Sequence, residues 1–97
     1  MSWSDLEMWW VGEVEGDPAY AEVVTPLLIE ILCPQPGALY IDLGCGDGRV
    51  AEADVFSASP IIGIDINEHL ARRAGTAAIV ADVPDIPLRS KSADGCF

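Results

Sequence analysis

The chain has few basic residues, and its first half has none. Its 16 Asp and Glu residues outnumber 5 Lys and Arg, which gives a formal net charge of -11 over 97 residues. Residues 1–48 hold nine acids and no Lys or Arg. Nonspecific affinity for nucleic acids comes mainly from Lys and Arg that displace counterions, so this balance predicts no nucleic-acid partner. An acidic surface keeps a protein soluble and tolerates a cationic small ligand.

Cysteine and histidine are also scarce. Cys33, Cys45 and Cys96 are widely spaced without a C-x-x-C pair, and His69 is the only histidine. This pattern predicts neither a metal site nor a disulfide framework, and it fits a reducing, cytoplasmic location. The first ten residues carry two acids and no base, unlike a secretory signal. No apolar run reaches about 18 residues, so no membrane span is expected.

Length and composition predict one folded domain. The 97 residues suffice for a single small domain, and 51% of them are hydrophobic. A disordered chain is less apolar than this.

Residues 1–37 are predicted to form an N-terminal helical segment. The first helix is expected to end at Gly12 and Gly16. Asp17 begins a second helix, in which Pro26 would cost about 3 kcal/mol at an interior position. The second helix is therefore expected to kink there, or to restart with Thr25 as its cap.

From residue 38 onwards, predicted strands alternate with predicted helices. Apolar runs bounded by Gly and Pro predict strands at 38–43, 61–65 and 77–81, and the start of a fourth at 93–97. Helices are expected from Arg49 to Phe56 and from the Asn67 cap to near Gly75. Such alternation implies βαβ units and a parallel sheet, so the predicted fold class is α/β.

The first candidate site is a glycine-rich loop after the first strand. Asp42 and Leu43 are followed by Gly-Cys-Gly-Asp-Gly at residues 44–48. Glycine removes side chains that would keep a ligand away from the backbone, and it allows positive φ where the strand turns. Backbone N–H groups at such a turn suit a carboxylate or a phosphate. An ordinary strand-to-helix turn is the structural alternative.

Two further acids follow later strands. Asp65 ends the IIGID run, and its two carboxylate oxygens suit both hydroxyls of a cis-diol. Asp82 follows the AAIVA run. Because parallel strands end at one edge of a sheet, these acids and the loop are expected to lie together. As structural alternatives, Asp65 starts a helix and Asp82 is a turn residue.

The pattern D-x-G-x-G-x-G at residues 42–48 resembles motif I of class I S-adenosylmethionine-dependent methyltransferases. Residues 86–88 (IPL) and 92–94 (SAD) resemble the segment before the fourth strand in small-molecule members of that superfamily. The resemblance covers residues 38–97, about the front half of the catalytic domain. It implies a Rossmann-like sheet with flanking helices, here truncated within the fourth strand, with S-adenosylmethionine as cofactor and a small-molecule substrate.

The same resemblance implies roles for individual residues. The loop would line the methionine part of the cofactor, Asp42 would lie near its ammonium group, and Asp65 would hold the ribose. Ile66 would pack on the adenine, Asp82 would accept from its exocyclic amine, and the Val83 N–H would meet a ring nitrogen. The implied cofactor-binding residues are Asp42, Gly44, Cys45, Gly46, Gly48, Asp65, Ile66, Asp82 and Val83. Catalytic residues stay unknown, since the family's substrate-positioning groups lie mostly beyond the fourth strand.

Two other functions are compatible with the pattern. Residues 46–51 satisfy G-x-G-x-x-A, and Asp65 lies 19 residues after Gly46, so an NAD(P)-binding oxidoreductase fragment is an alternative. Asp47 would repel a pyrophosphate there. A noncatalytic fragment that binds a partner through an exposed sheet edge is the other alternative, and the same edge suggests a homodimer. The chain alone is expected to be inactive.

Most of the aromatic residues of the N-terminal segment are predicted to pack in a core or interface. The aromatic residues of this segment are Trp3, Trp9, Trp10 and Tyr20. The resemblance implies the alternative, in which residues 1–37 form a lid or cap over the cofactor. His69 is expected to face solvent, and Cys45 is expected to fill a tight loop without acting as a nucleophile.

Overall fold

The structure is a computed structural model that describes residues 2–15, 17–74 and 77–97. Four strands form one parallel sheet in the order β3-β2-β1-β4. The strands are β1 (Tyr40–Leu43), β2 (Ile61–Asp65), β3 (Ala77–Val80) and β4 (Gly95–Cys96). The predicted α/β class and parallel sheet are confirmed; β2 has the predicted bounds, and the other three strands are one to three residues shorter than predicted.

Within the described ranges, three α-helices flank this sheet: α1 (Trp3–Glu15), α2 (Thr25–Leu32) and α3 (Glu68–Arg73). A wide π-helical turn (Tyr20–Val24) leads into α2, and short 3-10 turns lie at Asp54–Phe56 and Val83–Asp85. None of the helices in the described ranges is long and apolar enough to cross a membrane.

The centre of the sheet is its best-buried part. β1 pairs with β2 so that Asp42 lies opposite Gly63 and Leu43 opposite Ile64, which is fully buried. On one side of the sheet, Phe56 packs edge-on to Tyr40 and stacks on Phe97, with ring centroids 6.0 and 5.2 Å apart. This core holds the first residues of β1 and β2, Tyr40 and Ile61.

The predicted irregularity before Pro26 is confirmed, but Thr25 is the first residue of α2 and not its cap. The predicted end of the first helix at Gly12 is wrong, and Gly16, the other predicted end, lies outside the described residues. The Thr25 N–H donates to the Tyr20 carbonyl, which closes a wide turn just before α2. Pro26 thus falls in the first turn of α2, where its missing N–H costs little. α1 continues through Gly12, next to the buried Val11, because tertiary packing outweighs the roughly 1 kcal/mol cost of glycine in a helix.

The helix predicted from Arg49 to Phe56 is also wrong. Residues 49–53 form turns, and only Asp54–Phe56 are helical, as a single 3-10 turn. Ala51 and Phe56 both face the core, and a spacing of five residues does not put them on one side of a regular helix. Burying both therefore requires an irregular segment.

The predicted cap of α3 is confirmed. Asn67 Oδ1 accepts a hydrogen bond from the Leu70 N–H at 3.1 Å. The helix ends at Arg73, and Gly75, where its end was predicted, lies outside the described residues.

Candidate functional site

A pocket of about 290 Å³ opens at the carboxyl edge of the sheet, where β1, β2 and β3 end. It is lined by Trp10, Gly44, Gly46, Asp65, Ile66, Asn67, Leu70, Ala81, Asp82 and Val83. The structure thus brings together six of the nine residues predicted from the sequence. Asp42, Cys45 and Gly48 lie outside this lining.

The loop after β1 turns at its three glycines. Gly44, Gly46 and Gly48 have φ values of 68, 54 and 81°, a region that favours glycine. The Gly44 N–H donates to the Ile64 carbonyl at 2.7 Å, and the Cys45 N–H donates to the same oxygen at 3.0 Å. The backbone of the loop is therefore anchored directly on β2.

The Asp65 carboxylate is held between the loop and α3. Its Oδ2 accepts from the Gly46 N–H at 2.9 Å, and its Oδ1 accepts from the Asn67 N–H at 2.7 Å. Hydrogen bonds to a charged acceptor are stronger than neutral ones. Each carboxylate oxygen keeps a second lone pair, so the side chain is fixed in place and still able to accept from a ligand hydroxyl.

Asp42 is a buried acid behind the loop, with 6% of its surface exposed. Burial, and secondly the negative charge of Asp65, raise the pKa of the Asp42 carboxyl to about 6. A perturbed carboxyl of this kind is typical of functional sites. A nearby ligand cation would restore the ionised form, because opposite charge favours it.

Cys45 fills the space between the loop and β2, as predicted. Its thiol donates to the Gly46 carbonyl at 3.5 Å, and burial, followed by the charges of Asp42 and Asp65, raises its pKa to about 11. The thiolate is the nucleophilic form, so this cysteine is unreactive near neutral pH. A Cβ at Gly63 would lie 2.7 Å from the Cys45 sulfur, which explains why β2 has glycine there.

The third strand forms the open side of the pocket. Asp82 and Val83 follow β3 and are exposed, Val83 by 48%, and Ile66 is 62% exposed. The Ala81 N–H donates to the Asp65 carbonyl at 3.0 Å, which ties the start of this segment to β2. Its side chains nevertheless face open space.

Four lining residues were not among the predicted binding residues. Trp10 was considered only as packing or as a lid, and Asn67 only as a helix cap, while Leu70 and Ala81 gave no signal. Asn67 is buried, and its Nδ2 has no hydrogen-bond partner in the described part of the chain. The sequence signal that identifies Asn67 as a candidate is its position directly after Asp65 and Ile66.

The predictions for the other aromatic residues and for His69 have different outcomes. Trp9 is 61% exposed, so packing in a core is wrong for it, and the side chain of Trp3 lies outside the described part. The His69 side chain is 78% exposed, as predicted, and its Nδ1 lies 3.2 Å from Glu7 Oε1. That contact borders a larger cavity of about 530 Å³ between α1 and α3, which includes no strand end.

A parallel sheet of this order, a glycine loop after β1 and acids after β2 and β3 define the Rossmann-like class of S-adenosylmethionine-dependent methyltransferases. The family model described as a methyltransferase domain matches residues 41–97, more than half of the chain. The chain therefore belongs to the methyltransferase domain family. The class predicted from the motifs, a methyltransferase domain, is confirmed.

Two curated relatives, from two different bacteria, have the same name. The chain is 30% identical over 95 residues to the ubiquinone biosynthesis O-methyltransferase of Albidiferax ferrireducens, covering 94% of this chain and 37% of the relative. It is 33% identical over 89 residues to that of Paracidovorax citrulli, covering 89% and 37%. The chain thus spans about 37% of the length of these relatives.

Solved structures share the fold. A methyltransferase from an antibiotic biosynthesis pathway of Anabaena variabilis superposes with a TM-score of 0.67 at 18% identity, covering 75% of this chain and 31% of the other. The plantazolicin methyltransferase BpumL, solved with S-adenosylhomocysteine (SAH), gives a TM-score of 0.66 at 20% identity, covering 95% and 40%.

The local geometry also disfavours a dinucleotide site. A pyrophosphate in such a site lies at the N-terminus of a helix that begins at the glycine loop. Residues 49–53 form turns here, so the loop does not lead into such a helix.

Proposed function

We propose that this chain is the cofactor-binding part of a methyltransferase that acts on a small molecule, and that the cofactor lies in the 290 Å³ pocket. The observation that carries the proposal is the Asp65 carboxylate, fixed by the Gly46 and Asn67 N–H groups beside the pocket. A fixed acceptor pair of this kind suits a ribose diol.

The adenosine end of the ligand would extend from Asp65 towards β3. Ile66 is exposed at the pocket and offers an apolar surface for the adenine face. Asp82 would accept from the exocyclic amine, and the Val83 N–H would donate to a ring nitrogen. Both residues line the same pocket, which supports this orientation.

The methionine end would lie along the glycine loop, with Gly44 and Gly46 lining the pocket and Cys45 and Gly48 shaping the turn. Asp42 would attract the ammonium group, since its buried carboxyl gains from a cation. The net charge of -11 also favours a cationic ligand.

When bound, S-adenosylmethionine supplies an activated methyl group on a sulfonium. The residues of this chain hold and orient that group, and in-line transfer depends mainly on such alignment. The curated relatives are named O-methyltransferases, which favours a small-molecule hydroxyl as acceptor. Groups that would hold the acceptor are not among the pocket residues, so no catalytic residue is proposed.

Residues 1–37 would act as the lid of this site, and Trp10 in the pocket wall supports that role. Three free cysteines support a reducing, cytoplasmic location.

A homodimer through β4 is also proposed, because within the described residues only β1 pairs with that strand, and unpaired edges tend to recruit another chain.

Titration calorimetry of the full chain with S-adenosylmethionine, SAH and NADH tests the proposal. We expect binding of the two adenosyl ligands and weaker or no binding of NADH. Tighter binding of NADH would contradict the proposal. Light scattering during size-exclusion chromatography tests the dimer separately.

A further inference from the structure

The geometry points to Arg49 as a positioning residue that holds the Trp10 ring in the wall of the pocket and thereby slows escape of the ligand. The role of Arg49 at the ligand rests on the proposed function. Its effect on the N-terminal helix does not, because that contact is present in the protein alone.

Arg49 is first fixed by the loop itself. Its Nε donates to Asp47 Oδ1 at 3.0 Å and its Nη2 to Asp47 Oδ2 at 2.5 Å, a two-point contact. The two side chains are 18% and 13% exposed. Paired contacts from the planar guanidinium to a carboxylate fix its orientation, which a lysine cannot reproduce.

The guanidinium then contacts two aromatic rings from different segments. Its Cζ lies 5.3 Å from the centroid of Trp10, in α1, and 5.5 Å from that of Tyr20, in the π-helical turn. Both distances are within the range of cation–π attraction. Arg49 therefore connects both parts of the N-terminal segment to the glycine loop.

Trp10 is the part of this cluster that reaches the ligand site. It lines the pocket, and a Cβ at Gly46 would lie 3.7 Å from its ring. The ring thus covers the loop at the residue whose N–H binds Asp65. A ligand that leaves past Trp10 has to displace a ring that Arg49 holds.

The first arm of the test uses the protein without ligand. Amide hydrogen exchange across α1 is compared in wild type, Arg49→Met and the matched control Arg72→Met. Arg72 also pairs with an acid, Glu68, but it is exposed and lies on α3. We expect faster exchange in α1 for Arg49→Met alone, and unchanged α1 exchange in that variant would overturn the inference.

The second arm measures the dissociation rate of SAH by stopped-flow displacement. Arg49→Met is expected to release SAH about threefold to tenfold faster, the range for losing a partly desolvated cation–π contact. Arg49→Lys should restore part of the difference. In a Trp10→Leu background, Arg49→Met should change the rate little, because the residue acts through Trp10.

The outcomes separate the two claims. An equal rate increase with and without Trp10 would show that Arg49 only supports the loop, and it would overturn the positioning role. If Arg49→Met releases SAH at the wild-type rate, the positioning role of Arg49 is overturned as well, but the proposed function is not affected. A wild-type chain that binds neither adenosyl ligand would overturn the proposed function itself.

Discussion

The two sides of the pocket are built differently. On the loop side, Asp65 already accepts hydrogen bonds from the Gly46 and Asn67 N–H groups, and Asn67 is 6% exposed. On the side of β3, Asp82 and Val83 are exposed. The first side is organised before any ligand arrives, whereas the second offers groups that a ligand would have to order.

This difference follows from the position of each strand in the sheet. β2 lies between β1 and β3, and its end is enclosed by the loop and α3. β3 is an edge strand of the sheet, and its residues are mostly exposed. Preorganised groups lose less entropy on binding, so substitutions on the loop side should cost more affinity.

The largest effect on affinity is expected for Asp65→Ala. Losing hydrogen bonds to a charged acceptor should weaken SAH binding by about 1.5–3 kcal/mol. The structure adds a reason, because the Gly46 N–H loses its acceptor as well. Calorimetry with Asp85→Ala, an exposed acid outside the lining, as control checks this. Unchanged affinity would remove the ribose role.

Gly63→Ala should destabilise the fold by about 1–3 kcal/mol, the usual cost of overpacking. The added Cβ would lie 2.7 Å from the Cys45 sulfur. Gly12→Ala is the control, since nothing lies within 4 Å of a Cβ there and alanine is the better helix former. Urea unfolding distinguishes the two. If both variants had the same free energy of unfolding, the loop would accommodate the added Cβ at little cost.

Asp42 should make binding depend on pH. The pKa of its carboxyl in the folded chain, about 6, lies above the ordinary 3.8. The contribution of Asp42 to folding stability is therefore fully present below pH 3.8 and is lost as the pH rises through about 6. A ligand ammonium needs the ionised form, so SAH affinity should rise roughly tenfold between about pH 5 and about pH 7.

Asp42→Asn should flatten this pH dependence, because an amide does not titrate in that range. Calorimetry of both proteins at several pH values measures it. A wild-type affinity that falls as the pH rises would contradict the proposed contact between Asp42 and the ammonium group.

The smallest effect is expected for Asp82→Asn. The side chain is exposed, and the amide keeps one acceptor oxygen, so the loss in SAH affinity should be about 0.5–1.5 kcal/mol. The same calorimetry, with Asp85→Asn as matched control, checks it. If Asp82→Asn lost more SAH affinity than Asp65→Ala, the β3 side would contribute more to binding than the loop side, which would contradict the expected order.

Much of the site was predictable because its signals are local. The strand ends follow from apolar runs, and the spacing of 19 residues between Gly46 and Asp65 corresponds to a direct hydrogen bond. The cap at Asn67 has a local signal too, an amide just before a helix. These features depend on neighbours in sequence or on a single crossover between strands.

The misses depend on tertiary packing. The turns after Gly48 replace a helix because Ala51 and Phe56 both reach the core, which the pattern of residues 49–56 does not reveal. Trp10 carries an aromatic signal, but its place at the pocket depends on Arg49 and Gly46, far along the chain. The division at residue 37 and the roles of the site residues stay predictions.

Hydrogen exchange of the full chain with and without SAH tests the central claim most directly. We expect strong added protection over residues 80–86, on the side of β3, and a much smaller change at Gly46 and Asn67, whose N–H groups are already bonded to Asp65. The reverse pattern, with protection gained at the loop and none beyond β3, would contradict a preformed loop side and the orientation of the ligand drawn from it.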